Sequence, residues 1–418
     1  MIGRSEGSLG RSAPGWIDAL REAIWLGVVV RVALSVLAVF VVAGGGVPGP
    51  CHFELARNGW RTIPPLEADG LDFLLAGVWQ RWDACWYAKI ATYGYEPGTN
   101  SVTFFPLTPA LMAIGGGVLG SVTVAGLVIA FVATIVGLAV VHRLVALDVG
   151  RRTAHRTILY LLVFPSGFFL FAPFSEALFL AATAAALHGA RTRRWGLALV
   201  GGTLAGLARA PGVLLALPLA WEAGRATLLP LWRRRSGRES GESRPSGGEP
   251  RPSGPFAALL AWAAVAAPVA AFAGYVLWAS ATTGLSPLES QDAWGGREFH
   301  PPWEVLGASL SWAFEKGDPL QALNAAALVG FGAVTLLAAR RLPTSYTIFA
   351  ASQLLLISIR LQPTPLTSTT RYLLVLFPVF VGLALAGRHR WFDRAWLVGS
   401  SVLLAVLASG FVRGQFIA

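Results

Sequence analysis

Hydrophobic residues in this chain come in long unbroken runs, not in the short alternations of a soluble sheet or the one-sided stripes of a soluble helix, and the runs recur up to residue 412. About 20 apolar residues carry a helix across the hydrocarbon of a bilayer. Threaded alternately through a membrane, the runs predict about eleven transmembrane helices, near residues 23–43, 122–142, 155–172, 174–190, 195–209, 211–224, 256–280, 319–339, 344–360, 372–387 and 395–412. Several are short, which points to tilted or broken helices. The expectation is an all-α, polytopic integral membrane protein with one transmembrane domain over residues 1–418. The stretch Met1 to Arg21 is polar, and the first run, Ala23 to Ala43, is long enough to span and lacks a convincing cleavage site, so it is expected to remain as the first transmembrane helix.

The polar positions orient the threading. Arg143, Arg151, Arg152, Arg156, Arg191, Arg193, Arg194, the arginines from Arg225 to Arg251, Arg340, Arg341, Arg388, Arg390 and Arg394 all fall on one side, which the positive-inside rule makes cytoplasmic. The start of the chain then lies inside, and residues 44–121 and 282–318 become extracytoplasmic loops. The first loop is expected to hold amphipathic surface helices, for example over Leu71 to Tyr93. Within it, Thr103 to Leu119 is apolar but interrupted by Pro106, Pro109 and glycines 115–117, and a full span there would invert every later arginine cluster. It is expected as a re-entrant or surface helix, since irregular backbone survives at membrane depth where protein or a cavity surrounds it. Residues 225–255 on the cytoplasmic side, almost devoid of apolar residues from Arg233 to Gly254, are expected to be a disordered linker.

Composition agrees with this picture. Hydrophobic residues make up 55% and charged residues 13% of the chain, about half the charged share of an ordinary soluble domain. A net charge of +11 could suggest nucleic acid, but the arginines sit in clusters between apolar runs, so topology explains them and no nucleic-acid partner is expected. With only two cysteines, Cys51 and Cys85, a four-thiolate zinc site is excluded. Both lie in the first outer loop, on an oxidising side, where a bridge and two separate thiols are both compatible with the sequence. No D-x-D or H-x-x-x-H stands near the motifs below, and Asp69, Asp72 and Asp83 are not spaced as an evident chelate, so a divalent metal is compatible with the sequence but not indicated by it, and no other cofactor is expected.

Chemistry-bearing residues gather in five stretches. The first is Arg81-Trp82-Asp83-Ala84-Cys85-Trp86-Tyr87, followed by Gly94-Tyr95-Glu96 and Phe104-Phe105-Pro106-Leu107. Next come Phe164-Pro165-Ser166 with Ala172 to Phe179, then Gly206-Leu207-Ala208-Arg209-Ala210-Pro211-Gly212, then Pro287, Gln291 and Trp294, and finally Thr370-Arg371-Tyr372 with Phe377-Pro378. In this order the stretches resemble the GPI mannosyltransferase 2 type (PIG-V-like) family and its bacterial relatives in the GT-C glycosyltransferase superfamily, over about residues 20–385. One departure is Trp86-Tyr87, where the eukaryotic pattern often has His-Phe.

The resemblance implies a polyprenyl-phosphate sugar as donor, a membrane lipid or glycolipid as acceptor, and transfer with inversion, an acidic residue of the first outer loop acting as base. Asp83 is the candidate base, since inversion needs one carboxylate to take the acceptor's proton as it attacks; an Asp at a helix start is also a common N-cap, and both roles stay open. Arg209 and Arg371 are candidates for the lipid phosphate, with snorkelling to the interface as the other reading. Glu176 either orients a basic side chain or binds acceptor hydroxyls, or else caps a helix or complements its dipole from the first turn. Gln291, Glu96 and Asp292 are polar loop candidates for substrate contact. Trp82, Trp86, Tyr87 and Tyr95 could stack on sugar or line a lipid groove, and aromatic residues also gather at membrane interfaces for purely physical reasons. The implied function is a mannosyltransferase at the outer face of the cell membrane. The competing class, a transporter or lipid flippase, would place polar residues in mid-span and repeat its discontinuous helices.

Overall fold

A computed structural model describes residues 15–52, 68–235, 254–290 and 299–417. Gln291, Asp292 and Trp294 lie outside these, as do most of the expected linker and residues 53–67 of the first loop. The described residues form helices joined by turns, and six of the helical segments are long and apolar enough to cross a membrane. The protein is an all-α, multi-pass membrane protein.

Six predicted runs coincide with those segments. They are α1 (Trp16–Ala43), α5 (Val122–Asp148), the 3₁₀ turn Ala210–Leu215 continuing into α9 (Ala216–Arg235), α10 (Pro255–Thr283), α13 (Pro319–Ala338) and α17 (Arg390–Val412). The other five are shorter. α7 (Glu176–Arg191), α8 (Trp195–Ala208) and α14 (Thr344–Ser358) stay close to their predicted bounds.

Two runs break. The 155–172 run is α6 (Arg151–Leu162), then turns around Pro165, then a 3₁₀ turn at Gly167–Leu170, because proline removes a backbone donor and crowds the preceding turn. The 372–387 run is split between α15 (Thr369–Leu374) and α16 (Phe377–Ala386), with Pro378 in the first turn of the second piece.

The first loop folds into α2 (Gly70–Leu75), α3 (Asp83–Tyr93) and α4 (Leu107–Leu119). α4 has 13 residues, about 20 Å at the helical rise and too short to span; it pairs with α5. α3 corrects the expectation of a one-sided surface helix: every residue from Ala84 to Ile90 is buried, so protein surrounds it. The second loop holds the one-turn α11 (Pro287–Ser290) and α12 (Pro302–Lys316), which leaves Trp303, Leu310 and Phe314 exposed along one stripe.

α7 is the central helix, buried along almost its whole length against α5, α8 and α9. Small residues permit this, as they do generally where helices meet in lipid. A Cβ on Gly201 of α8 would stand 2.6 Å from the backbone nitrogen of Ala186 of α7, closer than real atoms approach. α7 thereby separates two polar ends, about 24 Å apart at the helical rise. At its C-terminal end Arg191 pairs with Asp148 and Glu222, and Tyr346 and Ser345 donate to those carboxylates at 2.7 Å and 2.6 Å. Its N-terminal end carries the candidate site.

Candidate active site

Glu176 is the first residue of α7 and is fully buried. A buried carboxylate is costly unless compensated by charge, and here one oxygen, Oε1, accepts from both Arg209 and Arg371. Its Oε2 is buried with no partner among the described residues. The N-cap, Ser175, makes no side-chain capping bond, and Glu176 stands in the first turn, where an acid also complements the helix dipole. Glu176 thus contacts two basic side chains and stands in the first turn of α7 at once.

Arg371 lies in the short α15, which Ser166 and Asn324 hold in place. Ser166 donates to the carbonyl of Thr370 at 2.8 Å, and the amide of Thr370 donates to Asn324 of α13 at 3.2 Å. The guanidinium sits over the rings of Phe174, at 4.7 Å, and Phe169, at 5.3 Å, a favourable cation–π arrangement in a desolvated place. Its Nη2 reaches Asp83 Oδ2 at 2.5 Å. Arg209 follows α8 and lies over the ring of Tyr372 at 5.2 Å. Four separate stretches of sequence thus converge on two arginines and two acids, a set whose formal charges cancel.

Asp83 opens α3 but does not cap it: the N-cap position belongs to Trp82, and no side chain caps the helix. Its carboxylate is anchored on one side by Arg371 and keeps 27% of its side chain exposed, which leaves it facing a cavity of about 780 Å³. Arg209, Arg371, Asp83 and Tyr87 line one part of that cavity; Val213, Leu214, Phe272, Leu356 and Ile357 give it apolar walls. Burial first, and then the nearby carboxylates of Asp83 and Glu176, push the Tyr87 phenol above its ordinary pKa, so it remains a neutral donor.

The remaining candidates stand elsewhere. Trp86 is buried and stacked on Phe104 at 5.2 Å; Tyr95 donates to the carbonyl of Phe104 at 2.7 Å and lies among Tyr275 and Trp278. Glu96 accepts from Lys89 at 2.8 Å, and Trp82 donates to the carbonyl of Gln415 at 3.2 Å. None of these four is among the residues lining the cavity. Gln291 falls outside the described residues.

Other lining residues escaped the sequence reading: Arg360, Glu289, Gln353 and Phe416. Only Gln353 carried a signal, as a lone amide in an apolar run; it is buried and donates to the carbonyl of Pro211 at 2.9 Å.

Cys51 and Cys85 are joined in a disulfide, with their α-carbons 5.8 Å apart. Four of the five non-glycine residues with positive φ among those described, Cys51, Trp82, Leu366 and Ser368, belong to the cavity wall or to the support of α3. Such backbone costs about 1–3 kcal/mol per residue and persists where its surroundings enforce it. Among the described residues no three His, Cys, Asp or Glu side chains gather as a metal site.

No protein-family model and no curated protein matches the chain. Among solved structures it is similar to ArnT from Cupriavidus metallidurans bound to undecaprenyl phosphate, with a TM-score of 0.47 and 14% identity over 92% of this chain and 64% of that one. It is also similar to the oligosaccharyltransferase of Archaeoglobus fulgidus in complex with Zn and sulfate, with a TM-score of 0.42 and 13% identity over 93% of this chain and 53% of that one. The apo form of the same oligosaccharyltransferase gives 0.41 and 12% over 93% and 56%. The chain therefore spans between about half and two thirds of the length of these proteins.

Proposed function

We propose that the protein is an inverting glycosyltransferase of GT-C type that moves mannose from a polyprenyl-phosphate donor to a lipid-linked acceptor at the extracytoplasmic face of the cell membrane. The observation that carries this reading is the anchored but open carboxylate of Asp83 in a cavity that combines arginines with apolar walls. The sugar and the family rest on the resemblance of the motifs, and the face rests on the arginine distribution.

The reaction assigns a role to each group. Asp83 takes the proton of the acceptor hydroxyl as its oxygen attacks the anomeric carbon. The bond from that carbon to the phosphate oxygen breaks on the opposite face of the sugar, and polyprenyl phosphate leaves with the electron pair. Arg371 holds Asp83 in place, because a guanidinium gives a carboxylate a charge-assisted hydrogen bond of fixed direction. A guanidinium carries five N–H donors, so Arg371 and Arg209 retain donors for the phosphate beyond those given to Asp83 and Glu176. The apolar walls accommodate the prenyl chain, and no metal has a part in the scheme.

The test is transfer of radiolabelled mannose from polyprenyl-phosphate-mannose into membrane lipid by equal amounts of wild type and Asp83→Asn. The wild type labels lipid, and the variant loses about 10²–10⁴-fold, the usual contribution of a general base. Equal transfer by both removes Asp83 as base. No transfer by either removes mannose, and the same assay with other polyprenyl-phosphate sugars then decides between another sugar and no transfer at all.

A further inference from the structure

The entrance to α3 is fastened at more points than an eleven-residue helix requires. Arg81 is buried, and its guanidinium donates to the carbonyls of Gly49 at 2.9 Å, Gln80 at 3.2 Å, Pro48 at 2.9 Å and Val412 at 3.2 Å. One side chain thus ties the loop before Cys51, the turn into α3 and the end of α17. The next residue, Trp82, gives its indole N–H to the carbonyl of Gln415 at 3.2 Å and sets its ring edge-on against Phe416 at 4.8 Å. Phe416 also lines the cavity that Asp83 faces. Trp82 itself has φ +52°, a left-handed conformation unfavourable for a bulky side chain. The direction in which the chain leaves it for Asp83 is therefore set by what grips Trp82 on either side.

We infer that Arg81 and Trp82, held by Val412 at the end of α17 and by Gln415 and Phe416 just after it, form a clamp that positions the Asp83 carboxylate against Arg371 and the cavity. The inference rests on the reading of Asp83 as the base. Asp83 is the first residue of α3, so a small rotation of the helix entrance swings its carboxylate away from the 2.5 Å contact with Arg371. A displacement of about 1 Å at a reacting group can cost on the order of a hundredfold in rate. The segment after α17 thereby belongs to the catalytic apparatus, although it lies 333 residues from the motif it supports. These are positioning residues, acting through Asp83.

The experiment uses the full chain with Trp82→Phe, which keeps a ring but removes the N–H donor, and Phe416→Ala, which removes the ring Trp82 rests on. Each is expected to lower kcat about ten- to a hundredfold with donor KM and thermal midpoint unchanged, while Phe416→Tyr, which restores a ring, recovers wild-type kcat. Amide hydrogen exchange at Ala84 to Tyr87 should quicken in Trp82→Phe and Phe416→Ala. Wild-type kcat in both variants overturns the clamp, as does a loss of rate matched by a loss of folded protein. Exchange at α3 needs no substrate, so it separates the two readings. If the wild type transfers no sugar but exchange quickens, the clamp stands and the proposed reaction falls; unchanged exchange overturns the clamp whatever the chemistry.

Discussion

Arg371 stands between two acids, with Nη2 at 2.5 Å from Asp83 and Nε on Glu176, so one guanidinium links the fully buried charge at the start of α7 to the partly exposed one at the start of α3. The arrangement is asymmetric. Glu176 is shared with Arg209 and is closed off from solvent, whereas Asp83 keeps an open side toward the cavity. A carboxylate held on one side and open on the other suits proton abstraction, and a carboxylate closed on all sides suits holding arginines in place.

The first prediction follows from the shape of that guanidinium. Lysine carries the same charge as a single point and cannot span both acids. Arg371→Lys therefore loses one charge-assisted hydrogen bond, about 1.5–3 kcal/mol, which is about 10–100-fold in rate. The loss should appear in kcat for sugar transfer while the protein still folds. Wild-type kcat in the lysine variant would show that the bridge between Asp83 and Glu176 has no part in the reaction.

Glu176 predicts the opposite division. Glu176→Gln keeps the shape but removes the charge that Arg209 and Arg371 share, leaving two arginines in a desolvated place with Asp83 as their remaining acid. Removing one partner of a buried ionic set costs about 3–5 kcal/mol. The thermal midpoint of the detergent-solubilised protein should drop clearly, with activity falling alongside it. A midpoint equal to wild type would mean that the carboxylate is not needed to hold the arginines.

The sequence made the six long helices legible because an unbroken apolar run carries its own length, and length is what spanning requires. Pro165 and Pro378 mark the breaks after Leu162 and Leu374, but the way the broken pieces meet is held by contacts between distant residues, such as Ser166 with Thr370, which no local pattern carries. Among candidate site residues, Asp83, Glu176, Arg209 and Arg371 were recognisable as charges that an apolar chain would not keep idly. Nothing in the order of residues revealed that Glu176 would occupy both arginines through one oxygen. Trp86 and Tyr95 read as sugar or lipid contacts because they stand in a motif with Asp83, yet Trp86 does not line the cavity that Asp83 faces and Tyr95 lies beyond the helix end, and their rings meet Phe104 and Tyr275. Arg360 and Phe416 had no local motif at all.

The disulfide supplies a third prediction. Cys85 is two residues beyond Asp83, and its bond to Cys51 closes 34 residues of chain around the entrance to α3. A cross-link over a loop of that size stabilises by about 2–4 kcal/mol. Mild reductant should lower the thermal midpoint of the wild type and of Asp83→Asn equally. Cys51→Ala/Cys85→Ala should start from the lowered value and ignore reductant. A midpoint indifferent to reductant in the wild type would show that the bond contributes nothing to stability.

Arg360 carries the last prediction. It lines the same cavity as Arg209 and Arg371 but, unlike them, makes no ion pair among the described residues. A guanidinium in a cavity with apolar walls is costly unless it meets a partner, and the phosphate of a lipid donor can supply two parallel charge-assisted hydrogen bonds. Arg360→Ala should therefore raise the KM for polyprenyl-phosphate-mannose by about 10–100-fold, the equivalent of about 1.5–3 kcal/mol, with kcat and the KM for the acceptor unchanged. Inhibition by free polyprenyl phosphate should weaken in parallel, because the same contact holds the product. If kcat falls while donor KM stays constant, the contact is made only as the phosphate departs, and Arg360 stabilises the leaving group and not the bound donor. If neither constant moves, the donor phosphate lies with Arg209 and Arg371 alone.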